Sequence, residues 1–271
     1  MRAILKYPGS KWNLADWIIN KIPKHHTYLE PFFGSGAIFF KKASSNIELI
    51  NDIDGTVCAL FRIVRDSPEE LARLIALTPF AREEYDRTYE DGECSEIEKV
   101  RRFLVQCWQG HGFRTNGYKV GWKNDIQGRE QMYAAYNWYR LPSWIIQIAD
   151  RLKNCQIDNR PAVELIKRFN YKNVFIYLDP PYVLGTRTGK QYKYEMTDND
   201  HIELLETVLN HKGMTMISGY NSDLYNEYLK GWHKEKVPAT AEYGLKRTEC
   251  IWYNYELSSQ ISLFELTKTN N

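Results

Sequence analysis

The sequence predicts an α/β protein built on a doubly wound, mostly parallel sheet, with a helical block inserted into it. Three observations predict this. Short apolar runs alternate with helical patterns toward both ends of the chain, which implies parallel strands covered on both faces. A glycine turn, EPFFGSG at 30–36, directly follows the first apolar run. Between about 55 and 150 the strand signal stops and helical periodicity takes over.

Taken in order, residues 10–22 read as a helix. Ser10 stands at the cap position, and Leu14, Trp17, Ile18 and Ile22 recur at helical spacing. A short strand at 27–30 runs into the glycine turn, and a second at 47–50 ends in NDID, 51–54. Helical patterns then fill 55–66, 68–77, 80–91 and 96–108, and the Trp/Tyr cluster at 133–144 reads as helical core packing. The intervening stretch 109–130, QGHGFRTNGYKVGWKNDIQGRE, has no clear period. An aperiodic segment that long in a compact chain is functional or flexible. Alternation resumes with a strand at 155–158, a helix at 161–169, a strand at 174–178, a helix at 199–211, a strand at 214–218 and a helix at 221–229. Residues 249–257 and 261–266 read as two adjacent antiparallel strands. The domain reading is therefore a sheet domain from 1–54 and 151–271, with the insertion at 55–150.

Composition sets the outer limits. Of 271 residues, 43% are apolar and 14% aromatic, enough for one large core and against wholesale disorder. A net charge of +2 leaves any nucleic-acid partner to local patches. The five cysteines form no CxxC pair and no zinc-like cluster, and histidines 25, 26, 201, 211 and 233 have no metal spacing, so no metal is expected. No apolar run reaches membrane-spanning length, and MRAILKYPGSK lacks the apolar core of a signal peptide. These features predict a soluble cytoplasmic protein with reduced thiols.

Gly34 and Gly36 follow the first strand, where glycine permits strained angles and close approach of a ligand to the backbone. Asp52 and Asp54 end the second strand, where a nucleotide-binding sheet places its ribose-binding acid. Phe39 occupies the third-glycine place of a dinucleotide fingerprint, which disfavours a pyrophosphate ligand. On these residues alone, a nucleoside site and a merely structural turn both stay open.

The stretch IYLDPPYV, 176–183, carries more chemistry. Pro181 has no N–H and biases Pro180 toward an extended conformation, so the chain leaves the ladder and the Pro180 carbonyl can face the ligand crevice. Asp179 adds a second acceptor and Tyr182 a flat face. Two acceptors beside an aromatic platform suit a planar ring bearing an amino group. Accepting both amino hydrogens of adenine favours a more tetrahedral nitrogen with an available lone pair, ready for an activated methyl group. Stacking on Tyr182 would contribute about 1–3 kcal/mol.

With its motifs in this order, nearly the whole chain resembles the Dam-type (D12 class) DNA adenine-N6 methyltransferases, especially phage and prophage forms. KYPGSK (6–11), EPFFGSG (30–36), NDID (51–54), DPPY (179–182) and RTECIWYNY (247–255) carry the resemblance. It implies a Rossmann-like methyltransferase core with an inserted target-recognition domain, and S-adenosyl-L-methionine as cofactor. Tyr7 would pack on the cofactor's adenine, where many relatives carry tryptophan. Lys11 would hold the charged end of the pocket and Asp52 the ribose hydroxyls. Asp158 would accept from the adenine amino group, and Glu30, Gly34, Gly36 and Asp179 would complete the pocket. Asp179, Pro180 and Tyr182 would act on the target base. Cytosine-C5 methylation is disfavoured, since the chain has no Pro-Cys pair to supply its nucleophile.

The implied partner is double-stranded DNA with its target adenine extruded; no membrane and no obligatory protein partner is implied. Arg114, Asn116, Lys119 and Lys123 lie in the basic, aromatic stretch 111–129, which also contains Arg129, where the family keeps target recognition. Cations there would position phosphates and Asn116 could read a base edge. Arg187, just past DPPY, could clamp the flipped strand. The Asn-Val-Pro and Gly-Arg-Tyr loop motif of the best-known members is absent, so their GATC specificity is not carried over. Amino groups of RNA bases or protein glutamine, and a DNA-binding protein with a decayed core, are the alternative readings.

Overall fold

The computed structural model describes residues 1–124, 134–187, 189–240 and 246–257. The first half of the sheet domain runs α1 (Ala15–Ile19), β1 (Thr27–Glu30), α2 (Ala37–Lys41) and β2 (Ile47–Asn51). The helical block follows as α3 (Gly55–Asp66), α4 (Pro68–Leu77), α5 (Arg82–Arg87), α6 (Glu96–Gln109) and α7 (Ala134–Leu152). The chain then returns through β3 (Cys155–Asp158), α8 (Ala162–Arg168), β4 (Val174–Leu178), α9 (Asp198–Leu209), β5 (Met214–Tyr220) and α10 (Asp223–Tyr228). It finishes with β6 (His233–Thr240) and β7 (Lys246–Tyr253).

The seven strands form one sheet in the order β3-β2-β1-β4-β5-β7-β6. The five strands β1 to β5 run parallel, and β7 lies antiparallel between β5 and β6. The chain starts at β1, winds outward to β2 and β3, and returns to lay β4 on the other side of β1. Winding reverses between β1 and β4, where Leu29 pairs with Ile176. A crevice therefore opens beyond the carboxyl ends of those two strands.

Alternation along the strands divides the core into two layers. Tyr28, Phe175, Tyr177, Ile251 and Tyr253 join one cluster with α2, α3, α6 and α7. Leu29, Val174, Ile176, Leu178 and Trp252 join the other with α8, α9 and α10. Because both faces are covered, β4 is buried at all five positions and reads VFIYL without alternation.

The helical block shares the first cluster rather than forming a core of its own: Val100, Trp108, Leu141 and Trp144 belong with Tyr28 and Phe39. In α7, Trp138, Leu141 and Trp144 are buried while Tyr136 and Tyr139 face outward. A charged link reinforces the junction. Arg151, at the end of α7, pairs with Glu48 of β2, which also holds Lys42 at 2.5 Å.

Three sequence expectations change. The helix expected over 10–22 contracts to the five residues of α1, and Ser10 does not cap it. Its hydroxyl instead bonds that of Ser35 at 2.7 Å, because the turn after Tyr7 is needed to bring the N-terminal segment over the glycine turn. The helix expected over 80–91 holds only at Arg82–Arg87. The last described strand pairs with β6, which the sequence reading did not foresee; the strand expected at 261–266 lies outside the described residues. β6, HKEKVPAT, has charges and Pro238 in place of apolar alternation. Those are features of a sheet edge, and they hide its strand signal.

Candidate active site

Beyond Glu30 the chain turns through Phe33 and Gly34, with Phe33 N–H donating to the Asn51 carbonyl at 2.9 Å. Gly34 (φ +48°) donates its N–H to the Asp52 carboxylate at 2.8 Å. Asp54 N–H donates to the other carboxylate oxygen at 2.9 Å. Burial nevertheless pushes Asp52 up to about 6, against the pull of these amides. Gly34 also lets the Tyr7 ring lie against the turn, since a Cβ there would stand 3.1 Å from the Tyr7 ring. Gly36 (φ +65°) serves packing instead: a Cβ would meet Phe33 at 2.4 Å.

A cavity of about 580 Å³ fills the crevice, within the range of small-ligand sites. Tyr7, Lys11, Glu30, Gly34, Asp52 and Asp179 all line it. Phe32, Phe33, Ile53, Pro161 and Pro181 supply apolar wall. Glu30 is buried and accepts from the Tyr28 hydroxyl at 2.7 Å; burial lifts its carboxyl to about 8. Gly36, Asp158, Pro180 and Tyr182 are not in the lining. Asp158 pairs with Arg160 at 2.7 Å and accepts from the Asn159 N–H at 2.8 Å, so its side chain is engaged outside the cavity.

At the cavity's floor, Lys11 donates to the Gly9 carbonyl at 2.7 Å and pairs with Asp179 at 2.9 Å. Burial opposes the lysine's charge, but Asp179 and Glu249 outweigh it and raise its pKa. Burial raises Asp179 as well, against the pull of Lys11. Tyr182 donates through its hydroxyl to Glu249, and that hydroxyl lies 3.2 Å from Asp179. Its ring has the Lys11 ammonium over it, 4.7 Å from the centroid, and Tyr220 in an edge contact at 4.7 Å. Among the described residues no cluster of His, Cys, Asp and Glu is arranged to hold a metal.

The segment after α6 reaches the stretch that follows DPPY. Thr115 N–H bonds the Gln191 carbonyl at 3.0 Å, and the Lys193 N–H bonds the Thr115 hydroxyl at 2.8 Å. Asn116 donates to the Lys190 carbonyl at 3.2 Å and accepts from Tyr118 N–H, so its amide braces the loop. Arg114 lies over Tyr118, and Lys119 pairs with Asp86 at 2.7 Å. Lys123 is half-buried, and its backbone N–H bonds the Gln109 carbonyl. Arg129 lies outside the described residues. Arg187, expected to clamp DNA, is instead turned inward: it pairs with Glu195 and donates to the Tyr182 carbonyl at 2.7 Å. So engaged, the guanidinium braces the DPPY turn.

Sequence reasoning missed Tyr192 and Glu249. Tyr192 lines the cavity and its hydroxyl bonds the Pro8 carbonyl at 3.1 Å, with no periodic signal around it. Glu249 did carry a signal, being an acid within an otherwise apolar strand ending, ECIWY.

A doubly wound sheet whose strand ends place buried acids around one cavity at the switch point defines a class, the α/β proteins that hold a small ligand there. Sequence comparison gives the family. Residues 7–242 match the D12 class of N6 adenine-specific DNA methyltransferases, and the chain belongs to that family. It is 29% identical to the type II methyltransferase M1.LlaDCHI of Lactococcus lactis subsp. cremoris, over 94% of this chain and 96% of the relative. It is 25% identical to the type II methyltransferase M.MjaIII of Methanocaldococcus jannaschii, covering 88% and 91%. With the DNA adenine methylase of Salmonella typhi it shares 23% identity, covering 84% of each chain.

Proposed function

We propose that this adenine methyltransferase binds S-adenosylmethionine in the crevice cavity and methylates an adenine swung out of double-stranded DNA. The observation that carries this reading is the presence of Asp52 and the Lys11–Asp179 pair in one cavity. Asp52, held by two backbone amides at the end of β2, is a fixed acceptor for ribose hydroxyls. The Tyr7 ring, lying on Gly34, offers a face to an adenine. At the other end the Asp179 carboxylate suits a cation, and the Glu30 carboxyl adds a polar wall. When bound, the cofactor supplies a methyl group on positively charged sulfur.

The chain's own residues do the rest. Asp179 and the Pro180 carbonyl accept the two amino hydrogens of the target base and so expose its lone pair. Lys11 fixes the Asp179 carboxylate. The Tyr182 ring offers a flat face on which the target base stacks. Arg114, Lys119 and Lys123 contact phosphate from the inserted loop. The hydrogen bonds from Thr115 and Asn116 tie that loop to the segment following DPPY.

The test is Asp179→Ala, with transfer of labelled methyl to duplex DNA as the readout. A rate loss of at least about 100-fold is expected, the scale of a lost acid–base group. Circular dichroism should be unchanged. Transfer at the wild-type rate would remove Asp179 from its role.

A further inference from the structure

Glu249 is used by none of the roles above, yet it sits against the reacting centre. It lies on β7, paired in register with Tyr220 of β5 and Val237 of β6, and is 4% exposed. Its carboxylate accepts from the Tyr182 hydroxyl and lies 3.6 Å from Lys11. Asp179 already pairs with that lysine at the shorter distance of 2.9 Å. One buried ammonium therefore faces two carboxylates, the part-buried one of Asp179 and the buried one of Glu249, and that of Glu249 is surplus to the ion pair. An unmatched buried carboxylate is costly to fold around.

We propose that Glu249 is a positioning residue for methyl transfer and the terminal acceptor of the proton that the methylated nitrogen releases, reached through the Tyr182 hydroxyl. The nitrogen lone pair forms the new bond to the methyl carbon. The carbon–sulfur bond breaks and its electron pair stays on sulfur. The nitrogen then carries one proton too many and passes it to Asp179. Tyr182 accepts that proton and gives its own to Glu249, so the phenol ends as it began. Asp179 is returned to its ionised form beside Lys11. The hydroxyl of Tyr182 lies 3.2 Å from Asp179 and is hydrogen-bonded to Glu249, which supplies both steps of the route. Burial raises the Glu249 carboxyl against the pull of Lys11, so a proton arriving there is held more firmly than on an exposed glutamate.

The experiment is a double-mutant cycle in the full chain with Glu249→Gln, Tyr182→Phe and the pair, read by steady-state methyl transfer to duplex DNA over many turnovers, since Asp179 must be restored between them. Glutamine keeps an acceptor for Tyr182 but is too weakly basic to take the proton, and phenylalanine keeps the ring. Each single variant should slow transfer at least tenfold at saturating DNA and cofactor. The KM for DNA and the cofactor affinity by calorimetry should stay within about twofold. The double variant should be no slower than the slower single, because both break one route. Glu249→Asp should recover part of the rate. Glu249→Gln transferring within twofold of wild type would overturn the proposal, as would losses that multiply in the double variant. Wild-type chain inactive on DNA would instead overturn the DNA reading itself.

Discussion

Glu30 shows how burial at a single residue governs behaviour in solution. Its carboxyl titrates near 8 in the folded protein against an ordinary 4.5, so the folded state holds the proton more tightly than the unfolded chain. As pH rises from 4.5 the unfolded chain releases that proton first, and stability falls until the folded state releases it near 8. The ligand-free protein should lose on the order of a few kcal/mol across that window from this group. Glu30→Gln should flatten the curve there, as measured by urea unfolding at a series of pH values; an unaltered slope would show that Glu30 is ionised throughout. Lys11, Asp52 and Asp179 were legible in the sequence because each sits at a strand end or beside a motif turn. Asp158 and Arg187 looked equivalent by position, yet each is paired with an opposite charge nearby, Arg160 and Glu195. Sequence position indicates where a side chain starts, and local charge decides where it points.

At the scale of the element, the turn between β1 and α2 joins the site to the core. Gly36 caps α2 in the left-handed region, with Phe33 and Phe40 packed against the space a side chain would need. Gly36→Ala combines a left-handed alanine with overpacking and should cost about 2–4 kcal/mol. A urea midpoint within error of wild type would contradict the packing described. The strands β1, β3 and β4 were legible to the residue, β4 most plainly, since a parallel strand buried at all five positions forms an uninterrupted apolar run. β6 was not, since an edge strand answers to solvent and carries charge. The first helix was over-read because Leu14, Trp17 and Ile18 keep helical spacing while residues 7–11 are drawn away to the glycine turn.

At the scale of the molecule, the helical block and the sheet share one apolar cluster and the Arg151–Glu48 link. They should therefore melt together. Far-ultraviolet dichroism and tryptophan fluorescence should report one coincident transition. Arg151→Met leaves Glu48 with Lys42 as its remaining charged partner at 2.5 Å. It should lower stability by roughly 1–3 kcal/mol, less than the 3–5 typical of breaking an isolated buried pair. Two separated transitions would show instead that the block folds on its own. No helix among the described residues is long and apolar enough to cross a membrane.

The sequence by itself determined the α/β class, the helical character of the stretch between β2 and β3, and the glycine, acid and DPPY motifs. Each depends on local periodicity or on a backbone constraint that neighbouring residues impose. Only the tertiary structure decided that Glu249 and Lys11, at opposite ends of the chain, meet Tyr182 and Asp179 at one centre. Strand order brings them together, through the antiparallel insertion of β7 beside β5 and the winding of the N-terminus over β1. Contacts between residues so far apart leave no periodic trace in the chain, because they follow from how the sheet closes and not from any one segment's preferences.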